Sequence, residues 1–362
     1  MAYTAYALTN IEDVPAKIVD FITNNMASWS AATGAAGPNG ETTATMTYPA
    51  GTNSPSRTFK VMALNGTTEG SSPDYAFNNY AWFSFDGGNP VSNECRVHAP
   101  VHATGSGSSD ATPRNATQLH MFGHSAASGD ATFIAGAIEF SAQHFRHFYL
   151  GRIERHGNYG DGIVMSGSNV GDYKPSYQSA RTWENELMRH LFGGIFPDET
   201  NPSMWGPGHC GGLLIDHVDD ATRFREFFMK RSSGYYDSKD LDKIGSGTEV
   251  FGGLNDGCVD GLLKAGFAPL TNANILATFE IFSNNDTGSN GRFYRPMGHP
   301  IGVRGVNMTN LTPGQAVVVG TDTWRVFPSA KMNLLTDEMD YTTSNYYADN
   351  ENTGPFGIAY KE

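Results

Sequence analysis

Charge is scarce in this chain. Asp, Glu, Lys and Arg make up 17% of its 362 residues, against ~25% in an average globular protein. What charge there is leans acidic, to a net −13, and no block of Lys or Arg occurs. Gripping a phosphate backbone needs clustered cations, so nucleic acid is not an expected partner. Cysteine is nearly missing too: Cys95, Cys210 and Cys258 lie far apart, with no CxxC pair. That speaks against a cysteine-rich zinc site, and the odd count speaks against a disulfide scaffold, so folding in a reducing cytosol is expected. No run approaches the ~18 apolar residues of a membrane-crossing helix. MAYTAYALTNIEDVPAK lacks the basic-then-apolar order of a secretory signal, so neither export nor membrane insertion is expected. Walker A, GxSxG and HExxH are absent as well.

What remains is apolar, aromatic and turn-rich. Hydrophobic residues reach 39% and aromatics 12%, enough for a core, and glycine occurs 42 times. Turns consume Gly and Asn while strands tolerate Thr, so this mixture favours β architecture over helical bundles. The length fits two or three domains at ~150 residues each.

The expected fold is mainly β, with sandwich- or barrel-like domains, an N-terminal amphipathic helix and a helical, loop-rich insertion. Residues 1–30 form the helix or arm. In EDVPAKIVDFITNNMASW, Asp13 is the expected cap and Pro15 sits in the tolerant first turn. Val14, Ile18, Phe21, Ile22 and Met26 recur at three- and four-residue steps and make one apolar face. Such a face closes its own domain or docks on a neighbouring subunit. Residues 31–180 read as short strands between turns: TTATMTYP, RTFKVMAL, YAWFSFDGG, TQLHMFGH, ATFIAGAIEFS and HFRHFYLGRIER. Residues 102–115 read as a long loop.

The texture changes over 181–270. ARTWENELMRHLFGG and DDATRFREFFMKRSSG read as helices, the second capped by Asp219 or Asp220 with Phe224, Phe227 and Phe228 inward. Residues 271–362 return to strands: an NILATFEIFSN–RFYRPMG hairpin, then IGVRGVNMTN, QAVVVG, DTWRVFPS and TGPFGIAYKE. In DTWRVFP, Trp324 and Val326 face one way, Arg325 and Phe327 the other. VVVGTDTW reads as two antiparallel strands around a Gly-Thr-Asp turn.

Eleven histidines invite a metal hypothesis. His144 and His147 are three apart on a strand, hence on opposite faces. His98 and His102 are four apart, but Pro100 interrupts any strand between them. HCGGLLIDHVDD brings His209, Cys210, Asp216, His217, Asp219 and Asp220 within twelve residues, although capping accounts for the last two. Cys210 shows no arrangement with a base and oxyanion donors. No catalytic residue, metal ligand or cofactor is therefore nominated.

FYLGRIERHGNYGDGIVMSGS, RGVNMTNLTPGQAVVVGTDTWRVFP and the closing TGPFGIAYKE, together with the early helix VPAKIVDFITNNM, resemble virion structural proteins of tailed bacteriophages. The likeness covers the helix, the middle strand and roughly the last sixty residues, and it does not extend well over 181–270. It implies a tail- or baseplate-associated protein of the virion, folded in the host cytoplasm. Its implied partners are copies of itself and other virion proteins. A head-decoration or head-to-tail connector protein is the near alternative. A receptor- or glycan-binding tail component, using aromatics such as Tyr235, Tyr236, Tyr346 and Tyr347, is an alternative of another class, as is an envelope-polysaccharide hydrolase. The structural and interface candidates are Ile18, Ile22, Met26, Trp324 and Arg325, with Trp324 expected in a core hairpin and Arg325 turned toward the surface or a partner.

Overall fold

Three strands with almost no exposed residues organise the molecule. In the computed structural model these are β9 (Gln118–His124), β10 (Phe133–Ser141) and β11 (His144–Arg155), antiparallel neighbours in one sheet. A half-buried antiparallel strand alternates apolar and polar side chains, but these are buried along both faces. Both faces must therefore be covered. Leu119, Met121, Ile134, Ile138, Phe148 and Leu150 belong to one apolar cluster, while Phe122, Phe133, Ala135, Phe145 and Tyr149 belong to a second. The structure describes residues 1–38, 40–52, 55–66, 79–85, 94–99, 101–103, 111–113, 115–126, 129–155, 162–167, 211–215, 225–228, 248–251, 276–278, 280–285, 293–328 and 356–362.

The first face is covered by a five-stranded sheet and a helix. The sheet runs in sequence order through β2 (Ser30–Thr33), β3 (Thr42–Tyr48), β4 (Arg57–Asn65), β5 (Asn79–Phe85) and β6 (Glu94–His98). Its inward side chains, among them Met46, Tyr48, Phe59, Val61 and Phe83, alternate with more exposed neighbours, the signature of a sheet wetted on one side. Phe83 stacks on Phe148 at 4.7 Å between ring centroids. Helix α1 (Val14–Asn25) completes this core with Val14, Ile18, Phe21 and Ile22, and Met26 follows at its end. Phe21 and Met26 reach β9 because Gly123 has no side chain: a Cβ there would stand 2.7 Å from the Met26 sulfur. The capping expectation needs correction. Asp13 makes no side-chain cap to α1 and instead accepts from the Thr9 amide, while Asn10 caps the 3-10 turn Ile11–Asp13 by accepting from the Glu12 amide. The 3-10 turn leads straight into α1, so the cap falls one turn earlier.

The second face is covered by the C-terminal strands. Their order is β16 (Leu276–Ala277), β19 (Val303–Asn307), β22 (Phe356–Lys361), β21 (Asp322–Pro328) and β20 (Ala316–Val319). Val303, Phe327, Ile358 and Tyr360 face the central sheet, and Tyr360 stacks on Phe122 at 4.7 Å. Trp324 and Val326 point the other way, into a third cluster with Val306, Met308, Leu311 and Val317. The alternation expected for DTWRVFP is what the structure has. The turn is shorter than expected: Val319 pairs with Asp322, leaving Gly320 and Thr321 as a two-residue loop. Gly320 has φ +64, a conformation that favours glycine and suits such hairpins.

The central sheet extends on both sides. β1 (Ala2–Ala7) pairs with β9 at one edge, and β12 (Ile163–Gly167) follows β11 on the other side. β13 (Gly211–Ile215) and β14 (Arg225–Phe228) continue it. The far end of β11 pairs with β18 (Phe293–Pro300), which pairs with β17 (Glu280–Asn285), and that with β15 (Thr248–Phe251). The expected hairpin near residue 290 is thus present as β17–β18. The helical reading of DDATRFREFFMKRSSG is corrected at Arg225–Phe228, which is strand: pairing with β13 satisfies its backbone, and adjacent phenylalanines suit a strand. Residues 102–115 are not loop throughout, since β7 (Val101–Ala103) and β8 (Ala111–Pro113) form a small hairpin at its ends. The expected helix in ARTWENELMRHLFGG lies outside the described residues.

Because α1 is core, deletion of residues 1–30 removes both β1 and one wall of the first cluster. The truncated chain is expected to lose its cooperative thermal transition by circular dichroism. Phe21→Ala alone should cost about 3–5 kcal/mol in urea unfolding. A cooperative melt for the truncation would show that the helix is dispensable to the fold.

Candidate functional site

The nominated residues fall into two groups. Ile18 and Ile22 are fully buried and Met26 nearly so, all within this chain's own core. Trp324 is buried at 6% exposure, with the Arg304 guanidinium 5.7 Å from its ring centre. Arg325, expected to turn toward the surface or a partner, is half-buried. It shares a strand face with Phe327, so it points toward the central sheet and lies 4.1 Å over the Tyr3 ring of β1. It also donates to the Glu362 carboxylate and to the Gly314 carbonyl.

Around this arginine lies a polar arrangement on the central sheet's second face. His120, on β9, accepts from the Tyr3 hydroxyl at Nδ1 over 2.9 Å, while its Nε2 faces the Glu139 carboxylate at 3.5 Å. The ring packs against Phe327 at 4.7 Å. Burial, helped by the Arg325 charge, lowers the His120 pKa to about 4. The Tyr3 phenol and the Glu139 carboxyl are both pushed up, in each case chiefly by burial. Two strands away, His147 is fully buried between β21 and β22. The Pro328 carbonyl, 2.8 Å from Nε2, can only accept, so Nε2 carries the proton and Nδ1 accepts from the Tyr360 hydroxyl, also at 2.8 Å. Burial holds its pKa down at about 3, against the opposing pull of the Pro328 carbonyl.

On the opposite face, a second polar network ties the central sheet to the β2–β6 layer. The Tyr48 hydroxyl reaches the carbonyls of Gly129 and Thr132, and the Trp29 indole donates to the Thr132 hydroxyl at 2.7 Å. Arg152, 1% exposed, donates to the Gly129 carbonyl and lies 3.5 Å from Asp130. Asp130 in turn accepts from the Thr52 amide.

An acid or base suited to neutral pH needs a pKa near 7. His120 and His147 are instead held neutral, and Tyr3 is a weaker acid than usual. His147 is a hydrogen-bonded clasp between layers, while His120 and Tyr3 are bonded to each other within the central sheet. Of His120, His147, Tyr360, Arg152 and Tyr48, the sequence singled out His147 alone, and that as a possible metal ligand. The available signal was a polar residue inside an apolar strand run, as in QLHMFG, FRHFYLG and LGRI, because such a residue needs a dedicated partner once buried.

The metal readings resolve differently. His144 and His147 do lie on one strand, three residues apart. His98 and His102 lie on β6 and β7, in different sheets, so the shared-face argument does not apply to them. Of the 209–220 group only the backbone of Gly211–Ile215 is described, and the potential ligands His209, Cys210, Asp216, His217, Asp219 and Asp220 lie outside it, as do Tyr235, Tyr236, Tyr346 and Tyr347. Among the described residues no group of three or more His, Cys, Asp or Glu could hold a metal ion. No described helix is long and apolar enough to cross a membrane.

A scan against models of known protein families matches none, and a search of curated proteins finds no similar chain.

Two outcomes are expected from this geometry. Folded His120 and His147 resist protonation, whereas the unfolded chain takes up those protons near pH 6.5. Their contribution is complete above that pH and is lost as pH falls, at up to about 1.4 kcal/mol per pH unit for each histidine. The loss levels off below about pH 4 for His120 and about pH 3 for His147. Glu139 offsets part of it, since its raised pKa lets the folded form take up a proton first. Urea unfolding from pH 7.5 downward measures this, and flat stability to pH 4 would contradict it. Trp324→Ala should destabilise by about 3–5 kcal/mol, and an unchanged melting temperature would place the ring outside the core.

Proposed function

We propose that this chain is a structural subunit of a tailed-bacteriophage particle, tail- or baseplate-associated, built from several copies in contact with one another and with neighbouring virion proteins. One observation carries the reading. Three of the four segments by which the sequence resembles such proteins pack together, while the fourth, the early helix, lies in the cluster on the other face of the central sheet. FYLG lies on β11, GTDTWRVFP forms the β20–β21 turn and strand β21, and GIAYK is β22. His147, Phe327 and Tyr360, from these segments or beside them, meet at one interlayer contact. Residues shared for building a core are expected to meet in this way.

The physical character of the chain supports the same role. Its polar groups tie layers together, and a low-charge, Gly- and Asn-rich surface suits wide, wet contacts in rings of subunits. The finer architecture belongs to the proposal: sandwich- or barrel-like domains, with 181–270, apart from its strands β13, β14 and β15, as a loop-rich insertion for neighbour contacts. In this role the protein is not an enzyme and takes no cofactor. It folds in the host cytoplasm and ends in the virion.

Gold labelling of the protein on purified phage particles, viewed by electron microscopy, tests this directly. Label at the tail tip is expected. Label on the head or neck would replace the tail assignment by a decoration or connector role. Particles without label, given an antibody that binds the native protein, would overturn the virion reading. A glycan array then tests the lectin alternative.

A further inference from the structure

β20 is an outer strand of the C-terminal sheet: among the described residues it pairs with β21 alone. The two-residue turn fixes which backbone groups that pairing uses. Val319 opposite Asp322 closes the hairpin, and the next inward-bonded pair is Val317 opposite Trp324. The Val326 amide bonding to the Gln315 carbonyl keeps the same phase. Ala316 and Val318 therefore aim their N–H and C=O groups away from the sheet. The Val318 side chain is 71% exposed, more than any other large apolar side chain described.

Its exposure has a geometric cause. Val318 lies on the strand face of Arg325 and Phe327, which further in covers the central sheet. Arg325 already stands over Tyr3 of β1, and among the described residues β1 is the central sheet's last strand on that side. β20 is one strand further out, so it overhangs. Sheet edges are normally guarded by Lys, Pro, a bulge or a covering element. Ala316–Val319 reads AVVV and carries no charge and no proline.

We propose that β20 is a pairing edge for a second copy of this chain. Two β20 strands run antiparallel about a two-fold axis, Val317 facing its counterpart and Ala316 facing Val318. That register places every outward N–H opposite an outward C=O, giving roughly four backbone hydrogen bonds. The charge and register of the edge suit that occupant. Two copies of net charge −13 repel at a distance, so their contact needs an uncharged patch on both sides. An antiparallel partner must match β20 in length and in–out phase, and a two-fold copy of β20 does both. A four-residue pairing is weak alone and becomes effective when copies are held in an array. The proposal rests on the self-assembling reading above for its occupant.

Sedimentation velocity of the full chain over a concentration series tests it, with Val318→Lys and Val318→Pro as variants. Proline removes only an outward-pointing N–H, so the hairpin ladder is retained. Wild type should associate with rising concentration, and both variants should weaken association about tenfold or more at an unchanged melting temperature. Amide hydrogen exchange of wild-type Val318 gives a readout free of variants: slow in associated samples, fast in dilute ones. Association untouched by both variants, with Val318 exchanging fast throughout, would overturn the edge and leave the virion reading to the labelling experiment. A wild type that stays monomeric at its solubility limit would overturn it as well.

Discussion

An antiparallel sheet that is dry on both faces needs a separate layer on each side, and its own strands cannot supply either one. In this protein the β2–β6 sheet and α1 cover one face, while β19–β22 cover the other. Neither layer is independent of the centre: each turns its apolar side inward and leaves its outer side to solvent or to a small cluster such as the one around Trp324. Hydrophobic burial supplies most of the drive, and the central strands determine how many layers the chain must fold together.

Burial on both faces sets strict terms for polar residues in those strands. A histidine or arginine there has no water to turn to, so each buried donor or acceptor requires a dedicated partner within the protein. His147 finds the Pro328 carbonyl and the Tyr360 hydroxyl, His120 finds Tyr3, and Arg152 finds the Gly129 carbonyl. Apolar contact alone would tolerate some sliding between layers. Directional bonds that cross between layers, those of His147 and of Tyr48, fix their relative position, and His147 does so without a charge on its imidazole.

Much of this was legible in the sequence, and the failures share a cause. Strand positions followed from β-branched and aromatic runs between Gly and Asn turns, and the split of DTWRVFP into two faces followed from its period of two. The apolar stripe of α1 was plain from Ile18, Phe21, Ile22 and Met26. What periodicity does not encode is the partner. Arg325 looked like a surface residue because alternation says which face it occupies, not that a second sheet lies opposite that face. REFF looked helical by spacing until β13 offered it a ladder. His147 drew notice only as a possible metal ligand and His120 not at all, since their true partners lie 213 and 117 residues away in the chain.

The position of β22 bears on how the protein is made. It lies between β19 and β21, hydrogen-bonded to both. A ribosome delivers β19, β20 and β21 first, so for a time the nascent chain carries the β20–β21 hairpin and β19 with a vacant slot between them. Two raw strand edges face that slot, and Phe327 has no complete layer around it. Closure must wait for a segment some thirty residues later, and such non-local pairings form slowly. Quality control in the cell would therefore act on this sheet before β22 is in place, when its delay leaves an opening that a foreign strand can fill.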